Sequence, residues 1–180
     1  MNCWKTINIT KQYGSQRIFI LSIITMLFAF ILLYIPSSYL FVSSSFNDNY
    51  FLVFCAFLFA TYPLHKLCHY VPVISLRDKL KITTRLKFGF YPIIHIRVTE
   101  PISKHLFLTA LLMPFVVINS ILLAGCFLLP DYAHYFTILL AYHIGLCVSD
   151  MICAKDILFA PKHAYIEENE DGFEILVCRN

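Results

Sequence analysis

The stretch LFLTALLMPFVVINSILLAGCFLL, residues 106–129, runs for 24 positions without a charged side chain. At about 1.5 Å per residue, a helix of that length spans a hydrocarbon core of roughly 30 Å with room to spare. Residues 18–35 form a second uncharged run, of 18 positions. The whole chain follows the same bias: 59% of its 180 residues are hydrophobic, 14% are charged, and mean hydropathy is +0.71. Soluble domains carry about 25% charged residues, so this is the composition of an integral membrane protein.

Two further apolar runs are interrupted. One covers about residues 51–74 and contains His65, Lys66 and His69; the other covers about residues 132–154 and contains His143 and Asp150. The expected fold is therefore an all-α membrane bundle of four transmembrane helices (about 18–35, 51–74, 106–129 and 132–154). It forms a single domain over residues 1–180, and the first helix is retained rather than cleaved as a signal peptide.

Basic residues stay on the cytoplasmic side of a membrane. Three precede the first span, eight lie from Lys66 to Lys104, three follow residue 154, and residues 36–50 and 130–136 contain none. Both termini are thus expected in the cytoplasm of a cell membrane, such as the bacterial cytoplasmic membrane. That distribution accounts for the net charge of +3 without a nucleic-acid partner. The seven cysteines have no regular spacing and fall mostly in spans or on the reducing face, which argues against a disulfide framework.

Two polar segments read as hairpins. Residues 80–88 and 93–98 alternate around a break at Gly89–Pro92, which suggests a cytoplasmic β-hairpin loop. In the tail, residues 160–180, an Asp171-Gly172 turn separates two strand-like runs. A lone hairpin is marginal in water, so the tail is expected to dock on the loop or the bundle.

Ionisable groups at membrane depth are costly, which makes each interruption a functional candidate. His65 and His69, four residues apart on a helix, share a face and suit a single metal ion. Counting from the outer ends of their spans, His65 lies about 21 Å deep and Asp150 about 24 Å. Two histidines and a carboxylate at one level form the ligand set of a zinc with an open position. His143 and Cys147 share the face of Asp150, either as replacement ligands or as groups that orient it. The competing reading makes His65 and His69 interfacial residues, with Lys66 reaching for lipid phosphates. Asn119 and Ser120 are expected to bond across helices, and Pro114 to kink its span. His95, His105, His134 and His163 read as surface residues.

The order of these features resembles the DUF3267 family: a second span ending in H-x-x-x-H, a basic β-rich loop, a third span with Pro114, a fourth ending in Ser149-Asp150, and an Asp171-Gly172 tail. Its members are described as membrane zincin peptidases distantly similar to site-2 proteases. The resemblance implies His65 and His69 as zinc ligands and Asp150 as the third. It also implies a glutamate after the first histidine, where this chain has Lys66. That glutamate is the general base of H-E-x-x-H enzymes, and an ammonium cannot accept a proton.

Three functions compete. The first is a degenerate protease that binds a membrane-protein or peptide partner without efficient cleavage. The second is an active intramembrane zinc peptidase with another base, Asp156 or Glu100. The third is a metal-free structural or assembly protein held by interhelical hydrogen bonds.

Overall fold

The computed structural model describes residues 2–40, 48–74, 80–87, 91–98, 101–169 and 172–177. The chain is mainly helical, with a small antiparallel sheet at one end of the helices. A first strand β1 (Asn2–Ile7) and a short helix α1 (Ile9–Tyr13) lead into α2 (Ser15–Leu40). Nearly every side chain of α2 is apolar and outward-facing, Phe19, Phe28 and Leu32 among them, and only Ala29 and Ser37 are buried. Such a surface suits lipid and would be a liability in water.

Helix α3 (Phe51–Cys68) stops short of the expected residue 74 and gives way to turns. Val71-Pro72 explains the stop, because proline lacks the N–H and disfavours helical backbone in the residue before it. His69 directly follows α3 with φ −60° and ψ −26°, so it keeps helical spacing from His65. Strands β2 (Leu80–Lys87) and β3 (Tyr91–Val98) pair antiparallel, Leu80 opposite Val98 and Lys87 opposite Tyr91, as the alternation predicts. Their connecting turn, with Gly89, lies outside the described residues.

A two-residue strand β4 (Ile102–Ser103) then opens helix α4 (Lys104–Leu128), in which Pro114 is buried and the helix stays continuous. The fourth span differs from the expectation of one helix over 132–154. A 3₁₀ turn (Pro130–Tyr132) and α5 (Ala133–Leu146) are followed by α6 (Val148–Leu158), and the axis bends by 45° at Cys147. Gly145 lies just before the bend, and glycine costs a helix about 1 kcal/mol relative to alanine. Among the described residues, three helices are long and apolar enough to cross a membrane, or four when α5 and α6 count as one broken span.

The tail strands β5 (Ala164–Asn169) and β6 (Gly172–Val177) form the expected hairpin; Asp171 of its turn lies outside the described residues. They dock by strand pairing on both sides, giving the order β1-β6-β5-β4. Ile7 sits opposite Phe173. A side chain at Gly172 would run into the Ile7 carbonyl, and its φ of 149° also favours glycine. One face of this sheet packs Ile7, Ile166 and Ile175 against Leu111 and Ile157 of the helices. Each such isoleucine contributes about 1.5–3 kcal/mol when fully buried.

Two polar ties hold the sheet end of the bundle together. Lys104 is buried and donates to the carbonyls of Leu158, at 2.9 Å, and Ala160, joining the start of α4 to the end of α6. A cation there also complements the negative end of the helix dipole. Lys5 of β1 donates to Asp156 of α6 at 3.1 Å.

Helices α2 and α5 approach closely at Gly145, where an added Cβ would lie 2.9 Å from Met26 Cβ and 3.0 Å from the Ser22 carbonyl. Small residues permit such backbone contact between membrane helices. Gly145→Leu is expected to destabilise the fold by about 1–3 kcal/mol through overpacking. Thermal unfolding in detergent would register it as a lower midpoint.

Candidate metal centre

Two helices deliver the candidate ligands to one point. His65 and His69 come from the end of α3 and Asp150 from the first turn of α6; His65 and Asp150 are buried, with 3% and 8% exposure. The Nε2 atoms of His65 and His69 are 3.3 Å apart. Asp150 Oδ2 lies 3.1 Å from His65 Nε2 and 3.6 Å from His69 Nε2. Ligand atoms held about 2.0–2.2 Å from a tetrahedral zinc stand about 3.3–3.6 Å from one another. The triad therefore has the spacing that a shared ion requires, as the depth count from sequence anticipates.

The hydrogen bonds behind the triad determine where the protons sit. His69 Nδ1 lies 2.9 Å from the Ala110 carbonyl, which can only accept, so Nδ1 carries the proton and Nε2 of the neutral ring bears a lone pair. Ala110 is four residues before Pro114, whose missing N–H leaves that carbonyl without its helical donor. Pro114, expected only to kink its span, thus supplies the acceptor that orients His69.

A longer relay orients His65. Asn119 Oδ1 lies 2.7 Å from His143 Nδ1, and His143 Nε2 lies 3.1 Å from His65 Nδ1. The amide oxygen accepts from His143 Nδ1–H, which leaves His143 Nε2 to accept from His65 Nδ1–H. His65 Nε2 then also presents a lone pair. With both rings neutral, two imidazole lone pairs and a carboxylate oxygen face each other, and Asp150 Oδ2 is buried without a hydrogen bond of acceptable geometry. Three acceptors at these distances repel one another unless a metal ion or a proton lies between them. The donor set fits zinc, with both histidines oriented through their second nitrogen as metal-bound histidines usually are.

His143 and Cys147 occupy places other than those expected. His143, fully buried, backs His65 rather than Asp150. Cys147 Sγ lies 3.9 Å from His65 Nδ1, on the opposite edge of the ring from Nε2. It cannot replace Asp150 beside His69. His65, His143 and Cys147 do form a second close grouping, but with an ion on Nε2 the His65 Nδ1 atom carries a proton. Asn119 makes the interhelical bond expected of it, whereas Ser120 is exposed.

Of the histidines read as surface residues, His105 and His163 are exposed and the side chain of His95 lies outside the described residues. His134 departs from that reading, with only 13% side-chain exposure and Asp48 Oδ1 at 3.3 Å from its Nε2. The start of α5 packs against the residues preceding α3, where Tyr135 also donates to Asp48.

A cavity of about 180 Å³ opens beside the triad where the helices meet the sheet. His69 and Asp150 line it together with Lys66, Val73, Ile102 and Phe107. Lys66 is exposed, and its ammonium stands 6.0 Å from the centre of the Tyr62 ring. Asp156, considered as an alternative base, is paired with Lys5, and Glu100 lies outside the described residues.

Comparison with protein-family models matches residues 58–165 to DUF3267, described as "Putative zincin peptidase". The matched segment contains His65, His69, Ala110, Asn119, His143 and Asp150. Neither curated proteins nor solved structures gave a match.

Asn119→Leu removes the acceptor at the end of the His65 relay without touching the triad. It is expected to weaken zinc binding about 10–100-fold, as loss of groups that orient metal ligands does. Competition with a chelator of known affinity would measure the change.

Proposed function

The chain belongs to the DUF3267 family, and we propose that it is a membrane zincin-type protein that holds one zinc ion with His65, His69 and Asp150 and binds a membrane-protein or peptide partner without efficient cleavage. The observation that carries this reading is the meeting of two histidine nitrogens and a carboxylate oxygen at 3.1–3.6 Å. Zinc bound there would act as a Lewis acid toward a carbonyl oxygen.

The chain's own residues determine what happens around that ion. His143 and Asn119 hold His65 in one tautomer, and the Ala110 carbonyl does the same for His69. Lys66 stands directly after the first histidine, where an H-E-x-x-H site has its base. An ammonium cannot take up a proton, and general-base assistance is typically worth 10²–10⁴ in rate. Asp156 pairs with Lys5 through one oxygen, and among the described residues Asp150 is the carboxylate that lines the cavity. The same reading puts the chain in a cell membrane, with both termini and the sheet on the cytoplasmic side, because the basic residues gather there.

Protein purified in detergent is expected to carry one equivalent of zinc, which His65→Ala and Asp150→Ala abolish. Lys66→Glu is expected to raise peptide cleavage by about 10²-fold or more over the wild type. Absence of zinc would overturn the metal half of the reading. Wild-type cleavage as fast as that of Lys66→Glu would overturn the other half.

A further inference from the structure

We propose that the cavity beside His69 and Asp150 binds the free carboxylate end of a peptide, with Lys66 as its counter-charge and the terminal apolar side chain against Val73, Ile102, Phe107 and Phe173. The inference rests on the metal reading above and goes beyond it by naming what the site accepts. Its basis is the charge balance around one cavity. Lys66 and Asp150 both line the walls and cancel each other, and among the described residues no carboxylate pairs with Lys66. A dication on the triad would then leave a net positive charge of two among the residues lining a space with largely apolar walls. A neutral peptide bond does not compensate it. In an H-E-x-x-H arrangement the glutamate would cancel the excess, whereas a lysine in its place makes the site select an anion.

Size and position narrow the class of anion. At roughly 30 Å³ per water, about 180 Å³ is the room of some six waters, enough for a carboxylate and one side chain and far short of a long acyl chain. Val73 and Ile102 are buried in the wall, and Phe107 stacks edge-to-face on Phe173 with ring centres 5.0 Å apart. These surfaces suit an aliphatic side chain. The cavity lies where helices meet the sheet, so a chain end can enter from the aqueous side while its last residue reaches the triad.

The test uses the full chain in detergent, with zinc content measured on the same sample, and titrates N-acetyl-leucine, N-acetyl-leucinamide and acetate calorimetrically. N-acetyl-leucine is expected to bind at least about tenfold tighter than the amide or acetate, in line with a charge-assisted contact. Lys66→Met, a change at an exposed position, should abolish that preference at unchanged zinc content and unchanged melting temperature. Equal binding of acid and amide would overturn the proposal. So would a preference that survives Lys66→Met, or acetate binding as tightly as N-acetyl-leucine. Stoichiometric zinc without carboxylate preference removes this proposal and leaves the metal reading standing. Zinc-free protein removes the metal reading first, and this proposal with it.

Discussion

The arrangement turns on the two edges of one imidazole. His65 is almost fully buried between helices, with Nδ1 against His143 and Nε2 against His69 and Asp150. A neutral ring has one proton, and the Asn119–His143 relay assigns it to Nδ1. The second edge is thereby committed as an acceptor in a nest of acceptors. Every other polar feature of the bundle interior near this point supports that commitment or answers it: Pro114 frees a carbonyl for His69, and the bend at Cys147 separates α5, which carries His143, from α6, which carries Asp150.

This constraint explains why polar groups persist in a chain that is otherwise so apolar. Burying a histidine pair and a carboxylate among apolar helices costs several kcal/mol unless each polar atom finds a partner. The relay satisfies the outward-facing nitrogens, and the sheet with its Lys5–Asp156 and Lys104 ties secures the helix ends that carry the triad. The inward-facing atoms, His65 Nε2, His69 Nε2 and Asp150 Oδ2, are left to one another, at the spacing of ligands around a shared ion. Lys66 lies outside that balance, one residue from His65 and on the cavity wall.

Much of this was legible in the sequence because it depends on local pattern. Apolar runs marked the long helices, alternation marked β2, the Asp171-Gly172 turn marked β5–β6, and the depth count placed His65, His69 and Asp150 at one level. Other features depend on partners remote in the chain. Strand β1 is six residues long and pairs with β6 at the opposite end of the sequence, and β4 is two residues, too short for any periodicity. The break at Cys147 has no proline to announce it, and apolar residues Ile144, Leu146 and Val148 continue straight through it. The link between Pro114 and His69 runs through the Ala110 backbone, which no side-chain motif records. Asn119 was readable as an interhelical donor or acceptor, but its partner follows from how α4 is rotated against α5.

The most direct test of the central claim is X-ray absorption at the zinc edge on the purified chain. The account predicts two imidazole nitrogens and carboxylate oxygen at about 2.0–2.2 Å, with the scattering pattern of ordered histidine rings. A sulfur neighbour at about 2.3 Å would move the ion to Cys147 on the other edge of His65, and would contradict the proton assignment on which the site is built.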